Sequence, residues 1–308
     1  MSNGRLIIFG GSGFVGGHLA ATAILQGWTV LVADTKHHPG LRAASWKHVD
    51  ITNEEAVNQC IGETGPTAVV NVAALADIDR CQLEKELAWQ INVSGARLVA
   101  QSCARYGIRH LVFSSDAVFN GRNGPYTETD QPDPLNYFGQ TKAEAEKAIL
   151  SIHLGAVLIR LSLVLGFPLT SGNSFLASLE EKIKLDQEIY CPVDEIRTPV
   201  DVHTLCQCVL ELVSSSYVGL LHIGCTQSIN RYELTRLVTQ KMGYSTDLVR
   251  PQSSPAESPG RAPRHKNGIL DVSRAQKLLN TRLPDLEGTI DQAIMDRPLS
   301  MGLLRKVP

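Results

Sequence analysis

The sequence lacks a long uninterrupted apolar segment, which argues against a membrane-spanning protein. Its longest apolar stretch, Leu154 to Phe167, is interrupted by Arg160 and is shorter than the roughly 20 residues that a membrane helix needs. The first residues lead directly into a strand-like run, Leu6 to Phe9, without the apolar segment and cleavage site of a secretory signal. These features predict a cytoplasmic protein with no membrane partner.

The sequence also lacks an excess of either charge. The 308 residues include 29 Lys and Arg against 31 Asp and Glu, a formal net charge of −2. Because nucleic-acid-binding proteins usually carry a basic stripe or a positive excess, no nucleic-acid partner is expected. The 43% hydrophobic fraction excludes a disordered chain. Seven scattered cysteines, an odd number, are typical of buried thiols in a reducing compartment.

Three kinds of chemical motif are missing as well. The sequence has no cluster of metal ligands at zinc-site spacing, no G-x-x-x-x-G-K-[ST] phosphate loop and no G-x-S-x-G nucleophile elbow. We therefore expect no metal site, and no hydrolase chemistry of the kinds that these motifs support.

Up to about residue 165, short β-branched runs alternate with longer amphipathic segments. The predicted strands are Leu6–Phe9, Thr29–Ala33, Ala68–Asn71, His110–Ser114 and Ala156–Leu161; the predicted helices are Val15–Gln26, Asn53–Ile61, Leu87–Tyr106 and Tyr137–Ile152. This alternation, with fully apolar strands, predicts an α/β fold with a Rossmann-type doubly wound parallel sheet.

Beyond residue 165 the alternation loosens. The predicted helices are Ser174–Lys184, Val202–Val213, Arg231–Met242, Arg274–Leu279 and Leu286–Met295, with a strand at Leu220–Ile223 and a Pro/Ser-rich loop from Pro251 to Pro263. We assign residues 1–165 and about 199–223 to the Rossmann domain, and residues 166–198 and 224–308 to a smaller mixed lobe. A ligand cleft is expected between the two.

The first predicted strand runs directly into a glycine-rich turn. Gly10, Gly13 and Gly16 give a G-x-x-G-x-x-G spacing that opens a predicted helix. Glycines let the backbone approach a pyrophosphate, whose charge is met by the free N–H groups and positive dipole of the helix start. The turn therefore predicts a dinucleotide site that includes Gly10, Gly13, Phe14 and Val15, with Gly16 allowing close packing of helix on sheet.

Acidic residues follow the predicted strand Thr29–Ala33 and the later run Trp46 to Val49. Asp34 stands 18 residues after Gly16, close to the spacing at which a carboxylate accepts hydrogen bonds from the adenosine ribose. Such a carboxylate repels a 2′-phosphate, although Lys36 offsets part of that charge. The expected cofactor is NAD(H) or NADP(H), with NAD preferred. Asp50 and Ile51 are placed to meet the adenine.

Further segments carry a family resemblance. They are Asn71-Val72-Ala73-Ala74, Phe113 to Phe119, Pro125 to Asp130, and Pro134 to Lys142. With the glycine turn they make the chain similar to extended short-chain dehydrogenases/reductases. It most resembles the dTDP-4-dehydrorhamnose reductase branch, which also includes the non-catalytic regulatory β subunit of methionine adenosyltransferase. The resemblance is dense over residues 5–165 and thinner afterwards, where Ile196 to Val200 and Asn230 to Glu233 match best.

The resemblance implies a nicotinamide-dependent reduction of a carbonyl group in a small-molecule substrate, a nucleotide-linked keto-sugar. The family uses a Ser or Thr, a Tyr, and a Lys four residues after the Tyr. Ser115 and Lys142 match the first and the last, but Phe138 occupies the Tyr position. The family Tyr protonates the carbonyl oxygen, and phenylalanine has no proton to give. The resemblance also assigns Ala73, Ala74, Ser114 and Lys142 to the cofactor.

Four explanations of Phe138 are open. Tyr137 could donate the proton, although one residue turns the side chain by about 100° around a helix. Ser115, Asp116 or a water molecule could act in a different reaction, or Phe138 could be an engineered replacement of Tyr. Lastly, the chain could be a silent cofactor-binding subunit that regulates a partner enzyme. The retained motifs favour an oxidoreductase with an impaired or altered acid/base site, or a secondary-metabolism reductase or dehydratase.

The resemblance gives weaker indications for the substrate side. It places Tyr126 and Glu128 in the active-site loop, and Arg197 in a segment that matches the second half of the family. A basic segment of the C-terminal region would meet a phosphate-bearing ligand or be a solvated loop: Arg261, Arg264, His265 and Lys266.

Two expectations concern packing. Arg160 lies within an apolar strand and needs an acidic partner if it is buried. The helices predicted at Leu87–Tyr106 and Tyr137–Ile152 form a dimer interface in the resembled superfamily, and a homodimer is possible here. Four apolar side chains on them are compatible with that interface: Leu98, Val99, Ala145 and Ile149.

Overall fold

A seven-stranded parallel sheet forms the centre of the computed structural model, which describes residues 3–37, 40, 43–169, 172–254, 261–295 and 297. The strands are β1 (Arg5–Phe9), β2 (Thr29–Asp34), β3 (Ser45–His48), β4 (Ala68–Asn71), β5 (Arg109–Ser115), β6 (Val157–Leu161), β7 (Val164–Leu165), β8 (Ile189–Pro192), β9 (Ile196–Arg197), β10 (Val200–Asp201), β11 (Gly219–Ile223), β12 (Ile229–Asn230), β13 (Val249–Gln252) and β14 (Asn267–Gly268). The central sheet has the order β11-β6-β5-β4-β1-β2-β3, which confirms the predicted α/β fold.

Helices connect these strands. They are α1 (Phe14–Leu25), α2 (Glu54–Thr64), α3 (Ile78–Leu83), α4 (Lys85–Trp89), α5 (Ala96–Tyr106), α6 (Tyr137–Ile152), α7 (Phe175–Lys184), α8 (Val202–Val213), α9 (Arg231–Lys241), α10 (Ser273–Leu278) and α11 (Leu286–Ile294). A π-helical turn, Gln90–Gly95, joins α4 to α5. The single helix predicted at Leu87–Tyr106 is therefore a helical segment with three parts. The elements that were not predicted are β3, α3 and the short strands β7–β10 and β12–β14.

The strand order reverses at β1, between β2 on one side and β4 on the other. The register pairs Phe9 with Ala33 of β2 and with Asn71 of β4, so the carboxyl ends of the three strands lie level. In open parallel sheets the ligand crevice lies at such a reversal, beyond the carboxyl ends of the strands.

Alternate residues of β1 face opposite layers of helices. Leu6 and Ile8 pack in one apolar cluster with residues of α1 and α8, and Ile7 and Phe9 pack in another with residues of α2 and α5. All four side chains are fully buried. Burial on both faces explains why the strands are continuous apolar runs in the sequence.

The later part of the chain adds short strands and a separate apolar cluster. The strand β9 pairs with β12 and β14, and β8 pairs with β13. The cluster is formed largely by α7, α9 and α11. The strand β13 includes Pro251 and Gln252, so the predicted loop starts later than expected, and residues 255–260 lie outside the described residues. The division into two domains stays a prediction.

Two packing expectations have different outcomes. Arg160, 1% exposed, binds Glu146 with an N–O distance of 2.7 Å, which confirms the expected acidic partner. Val99, Ala145 and Ile149 are buried in the chain's own core, so they do not supply an apolar surface for a dimer. The homodimer stays a prediction. No described helix is both long and apolar enough to cross a membrane.

Candidate active site

A cavity of about 570 Å³ opens at the carboxyl ends of β1, β2 and β4. It is lined by seven of the residues that the sequence assigned to the cofactor: Gly10, Gly13, Asp34, Asp50, Ile51, Ala73 and Ala74. These residues come together because each of them lies at the end of a parallel strand or within four positions after it. This cavity is called the cofactor cavity below.

The glycine turn leaves no room for side chains beside the cofactor cavity. Gly10 has a φ of +76°, and a Cβ there would lie 2.6 Å from the backbone nitrogen of Ala73. A Cβ on Gly16 would collide with the carbonyl oxygen of Gly10. Gly13 precedes α1, so the first N–H groups of that helix face the end of the turn. The backbone therefore fits a dinucleotide pyrophosphate.

The carboxylate of Asp34 closes the other side of the turn. Its two oxygens accept hydrogen bonds from the backbone N–H groups of Ser12, at 3.0 Å, and Lys36, at 3.3 Å. The Ser12 hydroxyl donates to the Lys36 carbonyl oxygen at 2.6 Å. Asp34 is thereby fixed at the cavity edge, where an adenosine ribose is expected.

Four of the residues assigned to the cofactor do not line this cavity: Phe14, Val15, Ser114 and Lys142. Phe14 and Val15 pack against the apolar core between α1 and the sheet. The Ser114 hydroxyl donates to Glu146 at 2.5 Å. Because side chains alternate along a strand, Ser114 and Ser115 point to opposite sides of β5.

The first half of α6 carries Phe138 and Lys142, at the positions of the tyrosine and the lysine in the resembled family. Asn136 caps this helix by accepting a hydrogen bond from the Gly139 N–H at 2.8 Å. Phe138 is buried in an apolar cluster with Leu75, Cys81, Ala88 and Ala117. Tyr137 lies at the margin of the same cluster, with the Lys85 ammonium 5.4 Å from its ring centroid.

Lys142 lies one turn after Phe138, and its ammonium is buried. The Nζ donates to the carbonyl oxygen of Phe113 at 2.5 Å. Burial lowers the pKa of Lys142 to about 8, and the negative charge of Glu146 only partly opposes that change. Both Glu146 oxygens accept hydrogen bonds from Arg160, at 2.8 and 2.7 Å.

Ser115 and Asp116 follow at the end of β5. The Ser115 hydroxyl donates to Asp116 Oδ1 at 3.1 Å and accepts from the Ala117 N–H at 3.1 Å. Asp116 Oδ2 accepts from the Ser162 hydroxyl at 2.7 Å and contacts His265 Nε2 at 3.1 Å. Burial raises the pKa of Asp116, but the charges and hydrogen bonds around it outweigh burial and hold it at about 2.

Asp116 also contacts the later part of the chain. The Arg197 guanidinium lies 3.6 Å from Asp116 Oδ2 and 3.5 Å from Glu195. It is fixed by donation to three backbone carbonyl oxygens, those of Ile196, His265 and Lys266. Asp116, Arg197 and His265 are together called the junction. All three are less than 10% exposed.

A basic cleft of about 970 Å³ opens beside the junction. Four arginines line it: Arg197, Arg231, Arg261 and Arg264. Arg231 lies over the ring of Phe175, with its guanidinium carbon 4.3 Å from the ring centroid. Arg264 binds Asp79 at 2.9 Å, so it is held at the edge of the cleft. Of the predicted basic segment, His265 is buried against Asp116, and Lys266 pairs with Asp194.

The basic cleft and the glycine turn meet at one backbone contact. Gly172 lines the cleft, and a Cβ on it would lie 2.8 Å from the backbone nitrogen of Phe14. The backbone at Gly172 therefore packs on the start of α1.

Two residues that the sequence assigned to the substrate lie elsewhere. The Tyr126 ring stacks on Phe119, with 4.1 Å between centroids, and its hydroxyl donates to Asn120. Glu128 lines a different cavity, pairs with Arg274 at 3.4 Å and accepts from the His222 N–H. The sequence analysis missed Arg231 and the contact of His265 with Asp116. Arg231 directly follows Asn230 in a segment that resembles the family, and this was the available signal.

Comparisons with known proteins agree on one family. The family model described as the RmlD substrate binding domain matches residues 4–297. A dTDP-4-dehydrorhamnose reductase of Mycolicibacterium smegmatis is 28% identical over 94% of this chain and 85% of its own length. The methionine adenosyltransferase 2 subunit beta of Rattus norvegicus is 28% identical over 89% of this chain and 82% of its own length. The solved structure of a dTDP-4-dehydrorhamnose reductase of Bacillus anthracis, in complex with NADP, superposes with a TM-score of 0.84 at 26% identity. The match covers 96% of this chain and 98% of that one.

Proposed function

The chain belongs to the RmlD substrate binding domain family, and from that premise we propose that it is a nicotinamide-dependent oxidoreductase with an altered acid/base site. We propose a nucleotide-linked keto-sugar, or a similar carbonyl compound, as its substrate. The observation that carries the proposal is the cofactor cavity at the carboxyl ends of β1, β2 and β4, which is lined by the glycine turn and by the fixed carboxylate of Asp34. A dinucleotide would bind there, and a phosphate-bearing substrate would bind in the basic cleft.

The cofactor would be held mainly by backbone. Gly10 and Gly13 would approach the pyrophosphate, Asp34 the adenosine ribose, and Asp50 and Ile51 the adenine. The fixed carboxylate of Asp34 favours NAD, whereas the related Bacillus anthracis structure contains NADP. When bound, the reduced nicotinamide supplies a hydride for a carbonyl carbon.

The basic cleft supports a substrate that carries phosphate. Guanidinium groups bind phosphate through paired hydrogen bonds, and Arg231 lines the cleft with its guanidinium over the Phe175 ring, which also lines the cleft. Ser115 would orient the carbonyl group, and Lys142 would hold the nicotinamide ribose. A nucleoside diphosphate linked to a keto-sugar combines all of these features.

Replacement of Phe138 by Tyr tests the proposal. General acid catalysis contributes a factor of roughly 10²–10⁴, so Phe138→Tyr is expected to raise kcat by at least about 100-fold. The measurement is stopped-flow absorbance of the nicotinamide with a panel of nucleotide-linked keto-sugars, after calorimetric titration of NADH and NADPH. Phe167→Tyr, a change of the same size at another buried Phe, is the control. If the wild-type chain and the Phe138→Tyr variant both bind the cofactor and neither turns over a substrate, the proposal is contradicted.

A second candidate is a regulatory subunit that binds the cofactor without turnover. Phe138 favours it, because a chain without the family acid can still bind a nucleotide. The related methionine adenosyltransferase 2 subunit beta adds to this candidate. Co-purification with a partner enzyme, together with the negative result above, would support it.

A further inference from the structure

We propose that Asp79 is an internal competitor for the ligand of the basic cleft. Its carboxylate holds the guanidinium of Arg264 until a phosphate group of the ligand takes its place. The inference rests on the proposed function, because it concerns the phosphate-bearing substrate that would bind in the cleft. It assigns Arg264 to the binding of that phosphate and Asp79 to the control of its affinity.

Asp79 lies on α3, at the rim of the basic cleft. Ile78, the residue before it, lines the cleft, and so does Arg264. Asp79 Oδ1 accepts a hydrogen bond from Arg264 Nη1 at 2.9 Å and another from the Ala262 N–H at 2.8 Å. The carboxylate therefore binds a guanidinium of the cleft in the way that a ligand anion would.

The charges at the rim act on Asp79 from the other side of this contact. Burial raises the pKa of the Asp79 carboxyl group, but hydrogen bonds from Arg264 and Ala262, and the charges of Arg264 and Arg261, outweigh burial and hold the pKa below its usual value. Arg261 also lines the cleft. The ionised carboxylate therefore lowers the positive potential that a phosphate would meet near two of the cleft's arginines.

The exchange requires movement of a side chain only. The residues on either side of Arg264 are anchored through their backbone. The Asn136 side chain donates to the Pro263 carbonyl oxygen at 2.9 Å. The Arg197 guanidinium donates to the His265 carbonyl oxygen, also at 2.9 Å. The Arg264 side chain can therefore turn from Asp79 to a ligand while the segment that carries it stays in place.

Arg264 differs in this respect from Arg197, another arginine of the cleft. Arg197 is buried and donates to three backbone carbonyl oxygens, so it is fixed. Arg264 Nη1 donates to one, that of Ala262, at 2.7 Å, and its contact with Asp79 is partly exposed. Exposed ion pairs are weak, and a phosphate offers a guanidinium paired, charge-assisted hydrogen bonds. A phosphate can therefore replace the carboxylate.

The weakness of the ion pair sets the size of the effect. If the binding group is free in only a fraction of the molecules, the apparent affinity falls by that fraction. An ion pair of ordinary exposed strength leaves Arg264 free in at least about one sixth of the molecules. Removal of the competing charge should therefore tighten phosphate binding by a few-fold.

Calorimetric titration with uridine diphosphate tests the proposal. Saturating reduced cofactor, NADH or NADPH, keeps the probe out of the cofactor cavity. Asp79→Asn removes the charge but keeps a side-chain oxygen that can accept from Ala262, and it is expected to lower the Kd of the probe about 2- to 5-fold. Asp291→Asn is the matched control, because Asp291 pairs with Lys241 at 2.6 Å and neither residue lines the cleft. Its Kd should equal that of the wild-type chain.

The Arg264→Ala background separates competition for Arg264 from a general effect of charge. Without the guanidinium, Asp79 has no binding group to withhold, so Asp79→Asn is expected to change the Kd less in this background. In the chain that retains Arg264, the gain from Asp79→Asn is expected to decline as the salt concentration rises, because exposed charges are screened. Urea unfolding of each variant verifies that the fold is retained.

The possible results distinguish this inference from the proposed function. An unchanged or higher Kd for Asp79→Asn, or equal gains with and without Arg264, overturns the inference, and binding of the probe by the wild-type chain leaves the proposed function standing. If neither the wild-type chain nor Asp79→Asn binds uridine diphosphate, the inference fails together with the proposed substrate site. If the gain is found but neither the wild-type chain nor Phe138→Tyr turns over a substrate, the proposed reductase function fails and the competition at Arg264 stands.

Discussion

The cofactor cavity is formed mainly by backbone at the ends of neighbouring strands, whereas the junction is formed by side chains from distant parts of the chain. Gly10, Asp34 and Ala73 each stand within two residues of a strand end. His265, by contrast, reaches Asp116 across 149 residues of sequence. In the cofactor cavity, a Cβ added to Gly10 or Gly16 would collide with neighbouring backbone. The junction depends on charge pairing inside the protein.

The largest effect that separates the two regions is expected from Gly10→Ala. A left-handed φ costs about 1–2 kcal/mol, and overpacking against the Ala73 backbone costs about 1–3 kcal/mol. The variant should lose roughly 2–5 kcal/mol of unfolding free energy and bind NADH or NADPH weakly. Urea unfolding and calorimetric titration measure the two losses.

Gly65→Ala is the matched control for Gly10→Ala. Gly65 has a φ of +53°, ends α2, and has open space beside it in the described structure. Its replacement should cost only the conformational part, about 1–2 kcal/mol, and leave cofactor affinity unchanged. Equal losses in the two variants would mean that close approach at Gly10 adds nothing, and the backbone account of the cavity would be wrong.

The same contrast explains which parts of the fold the sequence predicted. The strands β1, β2, β4, β5 and β6 are apolar on both faces, so their runs are visible in the sequence. The strand β3 was missed because it is an edge strand with a largely exposed pattern, Ser45–His48. The π-helical turn at Gln90–Gly95 was missed because helical periodicity does not distinguish it from an α-helix.

The second largest effect is expected in the junction, where Asp116 makes the free energy of unfolding depend on pH in acid. The folded-state pKa of Asp116, about 2, is below the usual value of about 3.9 for an unfolded chain. The ionised form therefore stabilises the folded state above about pH 4, and this contribution is lost as the pH falls from about 4 to 2. The loss is expected to be about 2–3 kcal/mol. Asp116→Asn should lack it.

Urea unfolding of both proteins from pH 6 to pH 2 measures this difference. Other carboxylates titrate in the same range, so the informative quantity is the gap between the two curves. A gap that stays constant with pH would show that His265 and Arg197 do not hold the Asp116 charge in the folded protein.

The sequence predicted the members of the cofactor cavity better than those of the junction, for a physical reason. A glycine spacing after a strand fixes a backbone path, so Gly10 and Gly13 could be assigned without knowing their neighbours. The environment of Asp116 depends on which side chains later segments deliver. Arg197 was assigned only by resemblance, and nothing in the spacing of His265 pointed to Asp116.

The smallest expected effect is that of Arg264 and Asp79, which also join the two halves of the chain but at the surface. Their atoms are 2.9 Å apart, with side chains 18% and 38% exposed. Exposed ion pairs contribute about 0–1 kcal/mol and weaken with salt. A double-mutant cycle of Arg264→Ala and Asp79→Ala should therefore give a coupling free energy below about 1 kcal/mol that declines between low and high salt. The cycle is needed because each single variant loses a second hydrogen bond together with the ion pair: Asp79 also accepts from the Ala262 N–H, and Arg264 also donates to the Ala262 carbonyl oxygen. A coupling free energy above about 1 kcal/mol that did not change with salt would mean that the exposed Arg264–Asp79 pair behaves like the buried junction. The difference in burial would then not explain any difference in strength between them.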